Sequence, residues 1–388
     1  MTRMLASVKD RAEADVVLRL GADVIDLKDA AKGAMVAVDL ATAEAVVAQV
    51  GGRRETSVTL GDPPYEPSAL LETARAFAAA KVDYLKAAVE ARMLEQCGAA
   101  LADSAGAAHL IGVIFADAAP DFQLLPKLKT LGFKGAMLDT RRKCEGRLLD
   151  LVDVSTLERF CSLCRAEGLM SGLAGSLEAP DVPRLLLVRP DVLGFRGALC
   201  RNHDRAAGVD PQGVSLIRDL IPRERPDPDV SPKIDWRLLA RGIIGGRDHE
   251  SDVDRVYVRD FVIPASIGAY DFERAAPQRV VFDVEAVVRR AVAHADDMRE
   301  IFSYDVILDS IRLAVGRGHI QFVETLAEDV AAAVLRHARV RSVRVSVRKI
   351  DVIEGAVGVE IHRERSSSAA ESHPLGVDLW STSTHRKE

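Results

Sequence analysis

Short apolar runs and helical patterns alternate from residue 3 to about residue 200. The runs are RMLASV, VIDLK, TSVTL, YLKAAV, LIGVIFAD, GAMLDT, MSGLAGS and VLGFRGAL. Between most of them lie stretches of helical periodicity, such as RAEADVVLRLGA, SALLETARAFAAAKV and STLERFCSLCRAEGL. Runs that are apolar nearly throughout belong to strands covered on both faces, and their alternation with helices implies a parallel sheet. Eight such units in residues 1–222 fit an α/β fold, a (β/α)8 barrel of TIM type. The doubly wound alternative needs a glycine-rich first turn, and SVKDRAEA contains no GxGxxG.

The composition changes after residue 222. Residues 223–253 are rich in proline, glycine and charge and read as a linker, with a short docked helix around Trp236 to Ala240. Residues 254–365 read as a smaller α+β unit in the order ββααββ. QRVVFDVEAVVRR alternates, placing Val280, Phe282, Val284, Ala286 and Val288 on one side. FVETLAEDVAAAVLRHA carries Val323, Leu326, Ala327, Val330 and Val334 on one stripe. An antiparallel sheet with helices on one face leaves its other face and edges in need of cover, which self-association would supply. Residues 366–388 are polar and read as a disordered tail.

Charge inside the apolar runs is the informative exception. In GADVIDLK, Asp26 and Lys28 share a strand face with Val24, and a charged pair facing inward is unfavourable unless matched or used. Barrel chemistry sits at the C-terminal ends of strands. Lys86 falls there in DYLKAAV, sharing a face with Tyr84 and Ala88, and Asp139 ends GAMLDT with Lys143 in the following loop. Singly, each could be a core ion pair or a snorkelling side chain. Together at one barrel mouth they point to chemistry. A lysine in a dry, partly cationic pocket has a lowered pKa and attacks carbonyls, and a neighbouring carboxylate can shuttle protons. Such a site suits a Schiff base with sugar-like carbonyl compounds. Gly175 and Ser176 after the seventh run, and Arg196 and Gly197 at the eighth, lie where this fold cradles phosphate.

Composition narrows the field. The chain has 388 residues, 48% of them hydrophobic, and a net charge of −6, which argues against a general nucleic-acid binder. No run of eighteen apolar residues marks a membrane span, and the N-terminus lacks a signal-peptide pattern, so a cytoplasmic protein is expected. Five scattered cysteines do not read as a disulfide framework. Cys161 and Cys164 form a lone CxxC without the second ligand pair of a zinc site or the usual redox context. His109, His203, His294 and His319 show no ligand spacing, and neither metal nor cofactor is expected.

In the second unit, Lys349 continues the apolar row Val343, Val345 and Val347; the plain alternative is a strand-end lysine turning into solvent. Glu324 sits one turn into a helix, where an acid favours the dipole, and Tyr304 could be a core aromatic.

The strings GADVIDLK, TLGDPPYEP, DYLKAAV, GAMLDTRRK, GLAGS and GFRGALC occur in order across roughly residues 3 to 220. Together they resemble the (5-formylfuran-3-yl)methyl phosphate synthase family, also called 4-HFC-P synthase. The resemblance implies a barrel that joins two glyceraldehyde 3-phosphate molecules, losing phosphate and water, for methanofuran-type cofactors. By resemblance Lys28 is the Schiff-base lysine and Lys86 the proton acceptor, with Asp26, Asp139 and Lys143 as further active-site charges. IGAYDFER, FSYDVI, QFVETLAEDVA, VRVSVRK and GVEIHRE resemble dihydroneopterin aldolase, a tunnelling-type fold. That resemblance implies that Glu324 anchors a pterin, Tyr304 packs near its ring, and Lys349 and Glu273 handle protons in a retro-aldol cleavage. It also implies sites between subunits, hence a homo-oligomer assembled through this domain. Ile350 stands where that family commonly has proline after its lysine. Two alternatives follow: a non-catalytic assembly module at the C-terminus, or a barrel that is a generic class I sugar-phosphate aldolase.

Overall fold

The structure, a computed structural model, describes residues 1–29, 33, 35–142, 146–222, 253–274, 276–290 and 297–365. Lys143, the linker with its expected helix at Trp236 to Ala240, and the tail at 366–388 lie outside the described residues, apart from Val253, where a strand begins.

Eight parallel strands close into a barrel in sequence order: β1 (Arg3–Val8), β2 (Val24–Leu27), β3 (Glu55–Thr59), β4 (Tyr84–Ala88), β5 (His109–Phe115), β6 (Gly135–Asp139), β7 (Met170–Leu173) and β8 (Val192–Phe195). The expected eight runs are therefore the eight strands. Several stop earlier than the apolar run: after β5 the chain turns into a 3-10 segment at Ala116–Ala118, and after β8 into another at Gly197–Leu199. The first helices are α1 (Arg11–Arg19), α2 (Leu40–Val50), α3 (Pro67–Ala79), α4 (Ala91–Ser104) and α5 (Leu124–Thr130). They are followed by α6 (Leu148–Leu151), α7 (Val154–Ala166), α8 (Asp181–Leu185) and α9 (Pro211–Leu220). Asp10, Asp39 and Asp153 cap α1, α2 and α7, each carboxylate accepting a first-turn backbone N–H. Proline at the first turn of α3 and α9 supplies the preset φ of a helix start.

The strands are buried on both faces, which explains their continuous apolarity. Met4, Ala6, Ile25, Leu27 and Leu85 face the helices, while Leu5, Val24, Tyr84, Ala88, Ile111, Val113 and Met137 fill the barrel. Asp26, one residue on from Ile25, accordingly points inward.

The second domain is an antiparallel four-stranded sheet in the order β12-β11-β10-β9. Its strands are β9 (Val253–Ala265), β10 (Gln278–Arg289), β11 (Val340–Lys349) and β12 (Val357–Glu364). Between β10 and β11 lie α10 (Tyr304–Val315) and α11 (Val323–Leu335), which cover one face. The row Val280, Phe282, Val284, Ala286 and Val288 is buried as its alternation predicts. The opposite face is a charge ladder: Arg348 reaches Asp283 at 2.5 Å and Arg259 reaches Glu285 at 2.6 Å. Strand β9 contains a bulge. Register shifts near Asp260, whose φ is +50° and whose N–H donates to Asp283 at 2.8 Å. An extra residue leaves the ladder there and increases the local twist. Cys161 and Cys164 are buried on α7; burial pushes both thiols upward, Cys161 to about 12, which leaves them unreactive.

The two domains dock through α7, α8 and α9. Asp309 on α10 is 1% exposed; it receives Arg184 of α8 at 2.6 Å and Arg312 at 3.0 Å. Replacing Arg184 by alanine leaves a buried carboxylate with one cation instead of two. We expect Arg184→Ala to lower stability by about 1.5–3 kcal/mol and to split domain unfolding into two transitions, read by chemical denaturation.

Candidate active sites

Asp26 is the centre of the barrel mouth. Register places Ser7 of β1 and Ser57 of β3 directly beside it. Both hydroxyls donate to its carboxylate, Ser7 at 2.8 Å and Ser57 at 2.6 Å. Lys86 reaches the same oxygen as Ser57 at 2.5 Å, and Lys28 stands 3.9 Å from the other. Asp26 has no exposed surface, and both lysines are buried. Burial alone would raise the carboxyl pKa; the charges of Lys86 and Lys28, then hydrogen bonds from Lys86 and Ser57, outweigh it and hold Asp26 below the usual carboxylate range. The carboxylate is thus ionised and shared between two amines.

These groups open onto a pocket of about 310 Å³, also lined by Asp139, Gly175, Ser176, Arg196 and Arg205. Of the residues expected at this mouth, Gly197 begins the 3-10 turn after β8, and Lys143 lies outside the described residues. Asp139 is buried and accepts the Thr140 N–H at 2.8 Å. Gly175 has φ +124°, and a Cβ there would stand 2.8 Å from Thr140 Cγ2, so the turn after β7 requires glycine. One expectation needs correction. Arg196 is not an open phosphate ligand: its guanidinium donates to Glu13 at 2.5 and 3.2 Å, and to the carbonyls of Ser7, Arg205 and Ala207. At 4% exposure it braces the loop after β8 against α1 and β1. Sequence reasoning missed Ser7, Ser57 and Arg205. The serines become legible only through register, and Arg205 sits in the polar loop RNHDRAAG, which carries no periodic signal. Thr59, the register partner of Lys86, has a buried hydroxyl with no hydrogen-bond partner among the described residues.

A second charged pair lies in the other domain. Lys349 ends β11 on the buried face, 9% exposed, and does not turn into solvent. Its ammonium donates to Glu273, which also accepts from Gln278 at 3.0 Å and from the Tyr270 N–H at 3.1 Å. The Lys349 hydrogen bond, then those from Gln278 and Tyr270, draw the Glu273 pKa from 4.5 to about 2. A Cβ at Gly268, φ +144°, would overlap the Glu273 carboxylate, so glycine makes room for the acid. His319 bridges Ser266 and the Gly268 carbonyl and fixes that loop. Glu324 and Tyr304 do not join this pair. Both are exposed and make no side-chain hydrogen bond among the described residues, and Tyr304 is not a core aromatic but 58% exposed.

Residues 4–218, more than half the chain, match the family described as 4-HFC-P synthase. The chain belongs to the 4-HFC-P synthase family. Beyond that 4-HFC-P synthase region, residues 256–362 match the dihydroneopterin aldolase family. A Methylorubrum extorquens protein assigned as a (5-formylfuran-3-yl)methyl phosphate synthase is 45% identical over 218 residues, covering 55% of this chain and 89% of its own. The (5-formylfuran-3-yl)methyl phosphate synthase of Methanococcus maripaludis is 30% identical over 235 residues, covering 56% of this chain and 97% of its own. Among solved structures, a dihydroneopterin aldolase from Burkholderia thailendensis is 38% identical, with TM-score 0.27, covering 30% of this chain and 94% of that one. Among the described residues, no helix is long and apolar enough to cross a membrane.

The depressed Glu273 pKa has a defined pH consequence. The acid binds fewer protons folded than unfolded, so its contribution is complete above 4.5 and is lost as pH falls towards 2. The melting temperature of the wild type is expected to fall across that window. In Glu273→Gln it starts lower and loses this component of the slope, as thermal scans from about pH 6 to pH 2 would report.

Proposed function

We propose that the barrel forms (5-formylfuran-3-yl)methyl phosphate from two molecules of glyceraldehyde 3-phosphate, through an imine on Lys28. The supporting observation is the convergence of Lys28, Lys86, Asp26 and Asp139 on one pocket at the C-terminal mouth of the barrel. In this reading the Lys28 amine adds to the aldehyde carbon and water leaves. The resulting imine makes the adjacent C–H acidic, and the Lys86–Asp26 pair takes that proton. The carbanion equivalent adds to the second aldehyde, and the phosphate on the next carbon is a leaving group. Water then cleaves the imine and frees Lys28, so the net loss of one phosphate and two waters from two trioses leaves the furan aldehyde phosphate. The lysine-rich pocket neutralises substrates that each carry a phosphate.

In the second domain, the Lys349–Glu273 contact supports a proton-handling role in retro-aldol cleavage of dihydroneopterin. The pterin ring then serves as electron sink, and no imine is needed. Free edges at β9 and β12 support assembly through this domain, with Tyr257 59% exposed on β9. Subunit association would bring a neighbour's Glu324 or Tyr304 to the pair. A second reading, an assembly module without activity, is favoured by the exposure of Glu324 and Tyr304 within one chain. One chain with both activities would feed furan and pterin carriers together.

Lys28→Ala is expected to lower furan formation from glyceraldehyde 3-phosphate by ~10³-fold or more, and to abolish the borohydride-trapped adduct seen by mass spectrometry. An unchanged rate rejects Lys28 as nucleophile. A trapped wild-type adduct without the ultraviolet absorption of a conjugated furan aldehyde would instead indicate a generic sugar-phosphate aldolase.

Lys349→Ala is expected to abolish glycolaldehyde release from dihydroneopterin while leaving furan formation intact. Absence of release in the wild-type assembly favours the assembly module.

A further inference from the structure

Between the two domains lies a charged crevice of about 550 Å³ that neither proposed reaction uses. The barrel contributes Glu158 and Arg165 on α7, and Arg189 from the turn before β8. The second domain contributes Arg317 just past α10, Asp329 on α11 and Arg336 at the end of α11. Four guanidiniums therefore face two carboxylates. Arg317 is matched by Asp329 at 3.1 Å. Arg165, Arg189 and Arg336 make no side-chain hydrogen bond or ion pair among the described residues.

Arg336 is the least comfortable of the set. Burial first, then the nearby Arg189 and Arg317 charges, push its guanidinium below the ordinary value; Glu158 opposes them without forming an ion pair. Cations gathered along one crevice repel one another, and an anion between them would remove that repulsion. Guanidinium forks match the oxygens of a phosphate group. Leu187, Leu313, Ala314 and Ala333 form apolar wall beside the charges, which suits an organic portion on the anion.

We propose that this interdomain crevice binds a small organic phosphate or diphosphate, which bridges the barrel and the C-terminal domain. The arginines come from both sides, so an occupied site ties α7 and the β8 turn to the ends of α10 and α11. The anion adds an ionic connection beside the Arg184–Asp309 and Arg299–Asp219 pairs.

Isothermal titration of the full chain with inorganic pyrophosphate tests this and separates the crevice from the barrel mouth. Binding is expected in the wild type, to weaken with added salt, to persist in Lys28→Ala, and to fall at least tenfold in Arg336→Gln and in Arg189→Gln. Ligand-free melting curves accompany both arginine variants. If Arg336→Gln melts early, Arg189→Gln carries the comparison, because its exposed side chain has no partner to lose. The proposal is overturned if pyrophosphate does not bind the wild type, binds both arginine variants unchanged, or is no longer bound by Lys28→Ala.

Discussion

A carboxylate with no exposed surface, enclosed by two ammonium groups and two hydroxyls, governs the arrangement of the barrel mouth. An ion is tolerated at such depth only when its oxygens are fully engaged. Ser7, Ser57 and Lys86 saturate Asp26, with Lys28 close behind. None of these partners lies on its own strand except Lys28, just past the end of β2. The closed parallel sheet, with β1 and β3 flanking β2 in one register, is what delivers them. Lys28, Lys86 and Arg205 outnumber Asp26 and Asp139 around the pocket, which leaves local positive charge that favours an anion.

The second domain reaches a comparable pairing by a different route. Lys349 lies at a strand end, but Glu273 comes from the loop between β9 and β10, and glycine at 268 makes its position sterically possible. Docking also follows a useful division. The barrel sets α7, α8 and α9 against the helical side of the second domain, so among the described residues no further strand pairs with the outer edges of β9 and β12.

The barrel was legible because strands buried on both faces are apolar nearly throughout, and a charge in such a run stands out. Asp26, Lys28, Lys86 and Asp139 were readable for that reason. Ser7 and Ser57 were not, because serine in a strand carries no signal until register sets it beside Asp26. Arg196 was misread for a related reason: its partner Glu13 lies 183 residues away in sequence. The β9 bulge has a sequence trace: the apolar alternation Val256, Val258 slips by one residue at Asp260 and resumes at Phe261 and Ile263. Local periodicity determines faces, whereas long-range pairing determines partners.

The commitment of Arg196 leaves other cations to face an anion in this pocket. A guanidinium holding Glu13 and three backbone carbonyls cannot also grip a substrate without exposing a buried carboxylate. Among the described residues, the cations left lining the pocket are Lys28, Lys86 and Arg205. The turn at Gly175 and Ser176 brings backbone close to the mouth because Thr140 leaves no room for a side chain at 175. Arg196 then contributes rigidity: it locks the loop carrying Arg205 to α1 and β1, next to Ser7. The strand that presents Ser7 to Asp26 and the loop that presents Arg205 to the pocket are joined through one side chain. Loosening that brace would disturb the Asp26 cluster and Arg205 together.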